Sequence, residues 1–178
     1  MPVELMQSCA RVLGPALRRL RTLALPDDED AARRARLGQA CAVLEDARAV
    51  VADGWLQNRW YTTVDGGAST GDPPEITSAC VVGAVVHATR AHDPTAGLME
   101  AGLALDVLWD ALQESRGLGG PGVAGRAVPA EIRRTRMREL TRWNDRPGRT
   151  REDVLDLLDL AVTRAIMAAM HPVAAARG

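Results

Sequence analysis

Cys80 and His87 are the residue types that nucleophilic chemistry would need, and they stand seven positions apart. A cysteine in the first turn of a helix gains thiolate character from the helix N-terminus. If Thr77 or Ser78 caps that helix, His87 lies two turns further along the same face. At 1.5 Å per residue the two Cα atoms would be roughly 10 Å apart. Direct proton transfer across that gap needs a substrate or water between them. Asp145 would complete a Cys-His-Asp grouping, although no spacing demands it. The opposing reading is a buried cysteine packed as a small hydrophobe and a histidine satisfied in a core pocket. The neighbours Val81, Val82, Ala84, Val85 and Val86 favour it, because desolvation raises a thiol pKa against the pull of the helix.

A second candidate lies in Trp143-Asn144-Asp145-Arg146-Pro147-Gly148-Arg149-Thr150. Arg146-Pro147-Gly148-Arg149 predicts a type II turn, in which proline presets one φ and glycine accepts the positive φ that follows. Thr150 predicts an N-cap, with Asp153 placed for a capping box. Asn144 and Asp145 would bond backbone amides and close the preceding helix. Structure alone accounts for every one of these residues. The functional reading makes Asn144 and Asp145 polar ligand contacts and Arg149 an anion anchor, with Trp143 and Trp55 completing the ligand-binding set.

Charge is concentrated near this turn. Nine arginines between Arg126 and Arg151 face only Glu131, Glu139 and Asp145, an excess that could contact phosphates or carboxylates. The bland account is a solvated helix face paired with acidic residues such as Asp153, Asp156 and Asp159. No helix-turn-helix, RNP or zinc-finger text supports sequence-specific nucleic-acid recognition. Gly117-Leu118-Gly119-Gly120-Pro121-Gly122 spells G-x-G-x-x-G but follows a helix rather than a strand, so it predicts a connector over 117–127 and not a nucleotide loop.

All 22 basic residues are arginine. Without lysine, Schiff-base chemistry and a Walker-A phosphate site are excluded. Three histidines and three well-separated cysteines show no metal-ligand spacing, so neither metal nor cofactor is expected. The odd cysteine number argues against a disulfide framework and for a reducing, cytoplasmic setting. No apolar run reaches the roughly 18 residues of a membrane span, and the N-terminus lacks a signal-peptide pattern.

Helical periodicity must position these groups. Glu4–Leu25 reads as a helix kinked at Pro15, and Glu29–Ala52 as a second, with Leu37, Ala40, Cys41, Leu44, Ala47 and Val51 on one face. Trp55, Trp60 and Tyr61 with Asp65-Gly66-Gly67 predict a small hairpin or ordered loop near 55–64. Residues 78–91 are apolar on almost every side, which predicts the central helix. Asp93-Pro94 reads as the start of the next helix, 129–142 as a basic helix, and the stretch after Thr150 as the last.

Asp53-Gly54-Trp55, Cys80-Val81-Val82-Gly83-Ala84 and the Trp143–Thr150 turn together resemble an uncharacterised actinobacterial domain family. Its members share a Gly-Trp after a first helix, a Cys-x-x-Gly-Ala helix and a Trp-Asn-Asp-x-Pro-Gly-Arg-Thr turn. The resemblance covers 43–165, leaves the N-terminal 1–26 helix outside and implies a fold but no activity. The expectation is an all-α, single-domain bundle of five or six helices spanning 1–178. Its function is that of a binding or accessory protein, engaging a small anionic ligand or an acidic protein partner through the arginine segment. The competing class is an enzyme on a small molecule, with Cys80 and His87 lining the site and Asp145 or Arg149 orienting substrate. A homodimer through the N-terminal helix is among the arrangements the sequence allows.

Overall fold

The computed structural model describes residues 26–64, 68–69, 75–95, 101–119 and 128–171. The helix expected over Glu4–Leu25 and most of the expected glycine connector lie outside these residues. Among them are five helices: α1 (Pro26–Asp53), α2 (Val81–His92), α3 (Gly102–Ser115), α4 (Ala130–Asn144) and α5 (Arg151–Met170). Three short strands, β1 (Tyr61–Thr63), β2 (Ala68–Ser69) and β3 (Ile76–Ala79), form an antiparallel sheet in the order β2-β1-β3. The protein is mostly helical, with the hairpin at the place its aromatic residues indicated. Contacts divide the chain into Met1–Arg33 and Arg34–Gly178. Of the first unit only the opening turns of α1 are described, where Arg33 pairs with Asp30 at 3.5 Å.

Within the second unit one apolar cluster unites the elements. From α1 it takes Leu37, Ala40, Leu44, Ala47 and Val51, the stripe that 3.6-residue periodicity selects. From α2 it takes residues on every side: Val81, Val82, Ala84, Val85, Val86 and Ala88 are all buried. Helix α3 packs against both α4 and α5, and α2 packs against α4.

Two helix boundaries differ from expectation. Ile76–Ala79 pairs with β1 instead of opening a helix, so Thr77 and Ser78 do not cap α2. Cys80 is the N-cap, with its Sγ accepting from the Gly83 amide at 3.4 Å. The strand wins because its backbone is paired across a ladder that local sequence cannot reveal. Asp93 ends α2 rather than starting α3, and its carboxylate accepts from the Thr95 amide and hydroxyl at 2.9 and 2.7 Å. Helix α3 begins at Gly102.

Helix α3 ends in a Schellman motif. The Leu118 amide bonds Gln113 O at 2.8 Å, the Gly117 amide bonds Glu114 O at 2.8 Å, and Gly117 takes φ +73°. The first glycine of the G-x-G-x-x-G text is therefore a helix stop, and it leaves Arg116 at the α3 terminus.

Candidate functional site

The motif residues meet at the start of α2. Asn144, the last residue of α4, is fully buried. Its Oδ1 accepts from the Trp55 indole at 2.9 Å and from the Val81 amide at 3.2 Å. Its Nδ2 donates to Leu56 O at 3.1 Å and to Asp145 Oδ1 at 2.8 Å. Asp145 also accepts from the Asn58 amide at 2.9 Å, which steadies Asn58 at φ +64°. Gln57 adds bonds to Asn144 O and Arg146 O at 2.7 and 3.1 Å. Asn144 thus does not close its own helix, as the sequence suggested. It joins the loop after α1, the first amide of α2 and the end of α4.

Two glycines permit this junction. A Cβ on Gly54 would meet Thr77 O at 2.1 Å, and one on Gly83 would meet Trp60 O at 2.5 Å. Both are backbone atoms that cannot move aside. The third, Gly148, sits at φ +82° in the turn closed by Arg149 N to Arg146 O at 3.1 Å, the expected type II geometry. Thr150 and Asp153 form the full capping box of α5.

The thiol and imidazole lie differently from the nucleophile reading. Cys80 is 1% exposed, and burial pushes its pKa up to about 11. The amides of Gly83 and Val82 pull it down without offsetting desolvation, and the charge of Asp145 adds to the rise. Burial also lowers the His87 pKa, so the ring is neutral near pH 7. That ring contacts Tyr61 edge-on at 6.3 Å and borders a cleft of about 370 Å³ with Asp53, Glu75 and Ser78. Neither Cys80 nor Asp145 lines that cleft. Cys41 and Cys80 are free thiols, and no cluster among the described residues could hold a metal ion.

The arginine segment divides into two sets. Asp106 of α3, fully buried, accepts from Arg133 Nε and Nη2 at 3.2 and 2.9 Å and from Arg136 Nη1 at 3.0 Å. These bonds satisfy a carboxylate that would otherwise be costly to desolvate. Gly102 makes the room, since a Cβ there would meet the Arg133 guanidinium carbon at 2.3 Å. Arg136 stacks 4.3 Å from the Trp109 ring, whose indole donates to Glu139 at 2.5 Å. The expected pairing with the α5 acids holds only in part: Arg149 reaches Asp153 at 3.3 Å, while Asp159 pairs with Arg48 of α1 at 2.6 Å.

The remaining arginines shape a cleft of about 590 Å³. Arg116, Arg142, Arg146 and Arg149 line it with Glu139, Asp153, Asp156, Ser115 and an apolar floor of Trp143, Leu157 and Leu160. Arg149 is held in place: its guanidinium lies 4.0 Å over Trp143, its Nε donates to Trp143 O at 3.3 Å, and Asp153 takes another nitrogen. Arg116, Arg142 and Arg146 form no ion pair among the described residues. Of the residues singled out from sequence, Trp143 and Arg149 line this cleft; Trp55, Asn144, Asp145, Cys80 and His87 do not. Sequence reading missed Arg116 and Asp106, and took Asp156 only as a charge partner of the arginine face. Only Asp106 left a signal, as the one acid inside the apolar run Leu103–Leu108.

A model of a family of unknown function (DUF6197) matches residues 35–164. The chain belongs to that family. The DUF6197 match holds the whole Asn144 junction, both close-approach glycines and the signature turn. No curated protein matches the chain, and no solved structure matches it. No described helix is long and apolar enough to cross a membrane.

Proposed function

We propose that this DUF6197 protein is a binding or accessory protein that takes a small anion in the cleft between α3, α4 and α5. One observation carries the reading: Arg116, Arg142 and Arg146, without ion-pair partners among the described residues, share a concave site with an Arg149 already locked against Trp143. Guanidinium forks are the side chains best suited to carboxylate or phosphate. A locked fork loses less freedom on binding than a mobile one. The volume falls in the range of small-molecule sites, which favours a small anion over an acidic protein surface. The free thiols are in keeping with a reducing cytoplasmic setting, and the lysine-free composition with an actinobacterial source.

Calorimetric titration of the full chain with ethyl phosphate and with pyrophosphate tests the reading. Saturable binding at millimolar ligand is expected, weakened by salt and lost in the double variant Arg142→Gln/Arg146→Gln. Both residues are exposed, so the variant should keep the parent melting temperature. Absence of saturable binding, or equal binding by the variant, would refute it.

A further inference from the structure

The cleft carries one carboxylate that no other described residue engages. Glu139 accepts the Trp109 indole, and Asp153 is committed to Thr150 and Arg149. Asp156 lines the same cleft, is exposed and forms no ion pair or hydrogen bond among the described residues. A site built for a plain anion would gain nothing from that charge, which repels the ligand. We infer that the ligand is zwitterionic: a phosphate or carboxylate head held by the arginines, joined through a short apolar spacer to an ammonium group held by Asp156. This rests on the anion-binding reading above and specifies its ligand class.

The placement of the groups suits such a molecule. Arg142, Arg146 and Arg149 come from the last turn of α4 and the loop after it, so they form one basic end. Asp153 holds Arg149 at that end. Asp156 stands three residues further along α5, a rise of roughly 4.5 Å. A spacer of two carbons bridges that distance. Leu157 and Leu160 supply an apolar wall beside it. Ser115, whose hydroxyl donates to Leu112 O at 2.9 Å, leaves its lone pairs to accept a further donor from the ligand.

The test compares O-phosphoethanolamine with ethyl phosphate, which has the same skeleton without the ammonium, on the full wild-type chain and on Asp156→Asn. Phosphoethanolamine is expected to bind wild type about fivefold tighter, the upper end for one ion pair to an exposed carboxylate. In Asp156→Asn the ratio should fall to near one, with ethyl phosphate binding as well as or better than to wild type. Equal affinity of the two esters for wild type would overturn the inference while leaving anion binding intact. So would a ratio unchanged by the substitution. Failure of both esters to bind would remove the anion reading and this inference together.

Discussion

Replacing Asn144 tests whether the junction organises the fold. In Asn144→Ala all four side-chain hydrogen bonds disappear. The Val81 amide is the most costly loss: it is fully buried and, as a first-turn amide, has no carbonyl of its own helix to bond. An orphaned buried donor costs about 1–3 kcal/mol. The Trp55 indole and Leu56 O are only part-buried, so each adds about 0.5–1.5 kcal/mol. Asp145 keeps its bond from the Asn58 amide and adds little. The total is about 2–6 kcal/mol, which for a chain of this size lowers the melting temperature by roughly 5–20 °C. Asn144→Asp separates the contributions. It keeps the two acceptor bonds but sets a second carboxylate beside Asp145. One proton is then held above the usual carboxylate range. A group whose pKa is raised on folding contributes stability below its unfolded pKa and loses it as pH rises through the folded value. Asn144→Asp should therefore approach wild type near pH 4 and fall away towards pH 7, whereas the Asn144→Ala deficit should stay nearly constant. Urea melts of both variants across that range are the assay. A loss below about 1 kcal/mol in Asn144→Ala would refute the reasoning, as would a flat pH response in Asn144→Asp.

Four further outcomes are expected. Gly38→Ala should stabilise the protein by about 0.5–1 kcal/mol because its Cβ meets nothing within 4 Å on a regular helix, whereas Gly83→Ala should destabilise by about 1–3 kcal/mol against Trp60 O; chemical denaturation shows whether the signs are opposite. In native protein at pH 7, Cys80 should react with iodoacetamide more slowly than Cys41, which is half-buried, and mass mapping of the labelled thiols reads this directly. Alkaline stability should fall in two overlapping stages, since burial lifts Cys80 from 9.0 to about 11 and Tyr61 from 10.0 to about 12: each contribution is intact below the unfolded value, is lost as pH rises through the folded one, and is worth roughly 3 kcal/mol. Tyr61→Phe should flatten the upper stage at little cost at pH 7, because its buried hydroxyl has no hydrogen-bond partner among the described residues. Generic DNA should show a log-log salt slope no steeper than about −3, given the few arginines of the segment without an ion pair among the described residues; a slope beyond about −5 would mean that the paired arginines also reach phosphate.

What could be read in the sequence was what is local. Pro147, Gly148, Thr150 and Asp153 lie within seven residues, and each acts on its neighbours, so the turn and the α5 cap follow from residue type alone. The apolar stripes of α1 and α5 and the all-round burial of α2 are similarly periodic. The start of α2 was not legible, because Thr77-Ser78 looks like a cap until β1 is known to pair with it. Asp93-Pro94 has the composition of a helix start and serves as a helix stop, since Asp93 is extended ahead of the proline ring. Asn144 has partners up to 89 positions away, and no local pattern points to Trp55 or Val81. Gly54 and Gly83 are legible as motif glycines, but which backbone each one admits, that of Thr77 or of Trp60, is seen only in the fold.

The arginine segment shows why a charge count overstates what a surface can bind. By sequence its excess looks like one basic face, yet Asp106 draws Arg133 and Arg136 inward and makes them the tie between α3 and α4. Arg134 is neutralised by Glu131 and Arg151 lies beside Glu152. Among the described members of the run, Arg138, Arg142 and Arg146 keep charge without an ion pair, and two of these face the cleft. Arg116 joins them from outside the run, brought there by a Schellman stop that the sequence showed only as a glycine-rich stretch. The arginines that tie α3 to α4 and those without an ion pair among the described residues are thus the same type in one short segment. Burial of a single aspartate decides which is which.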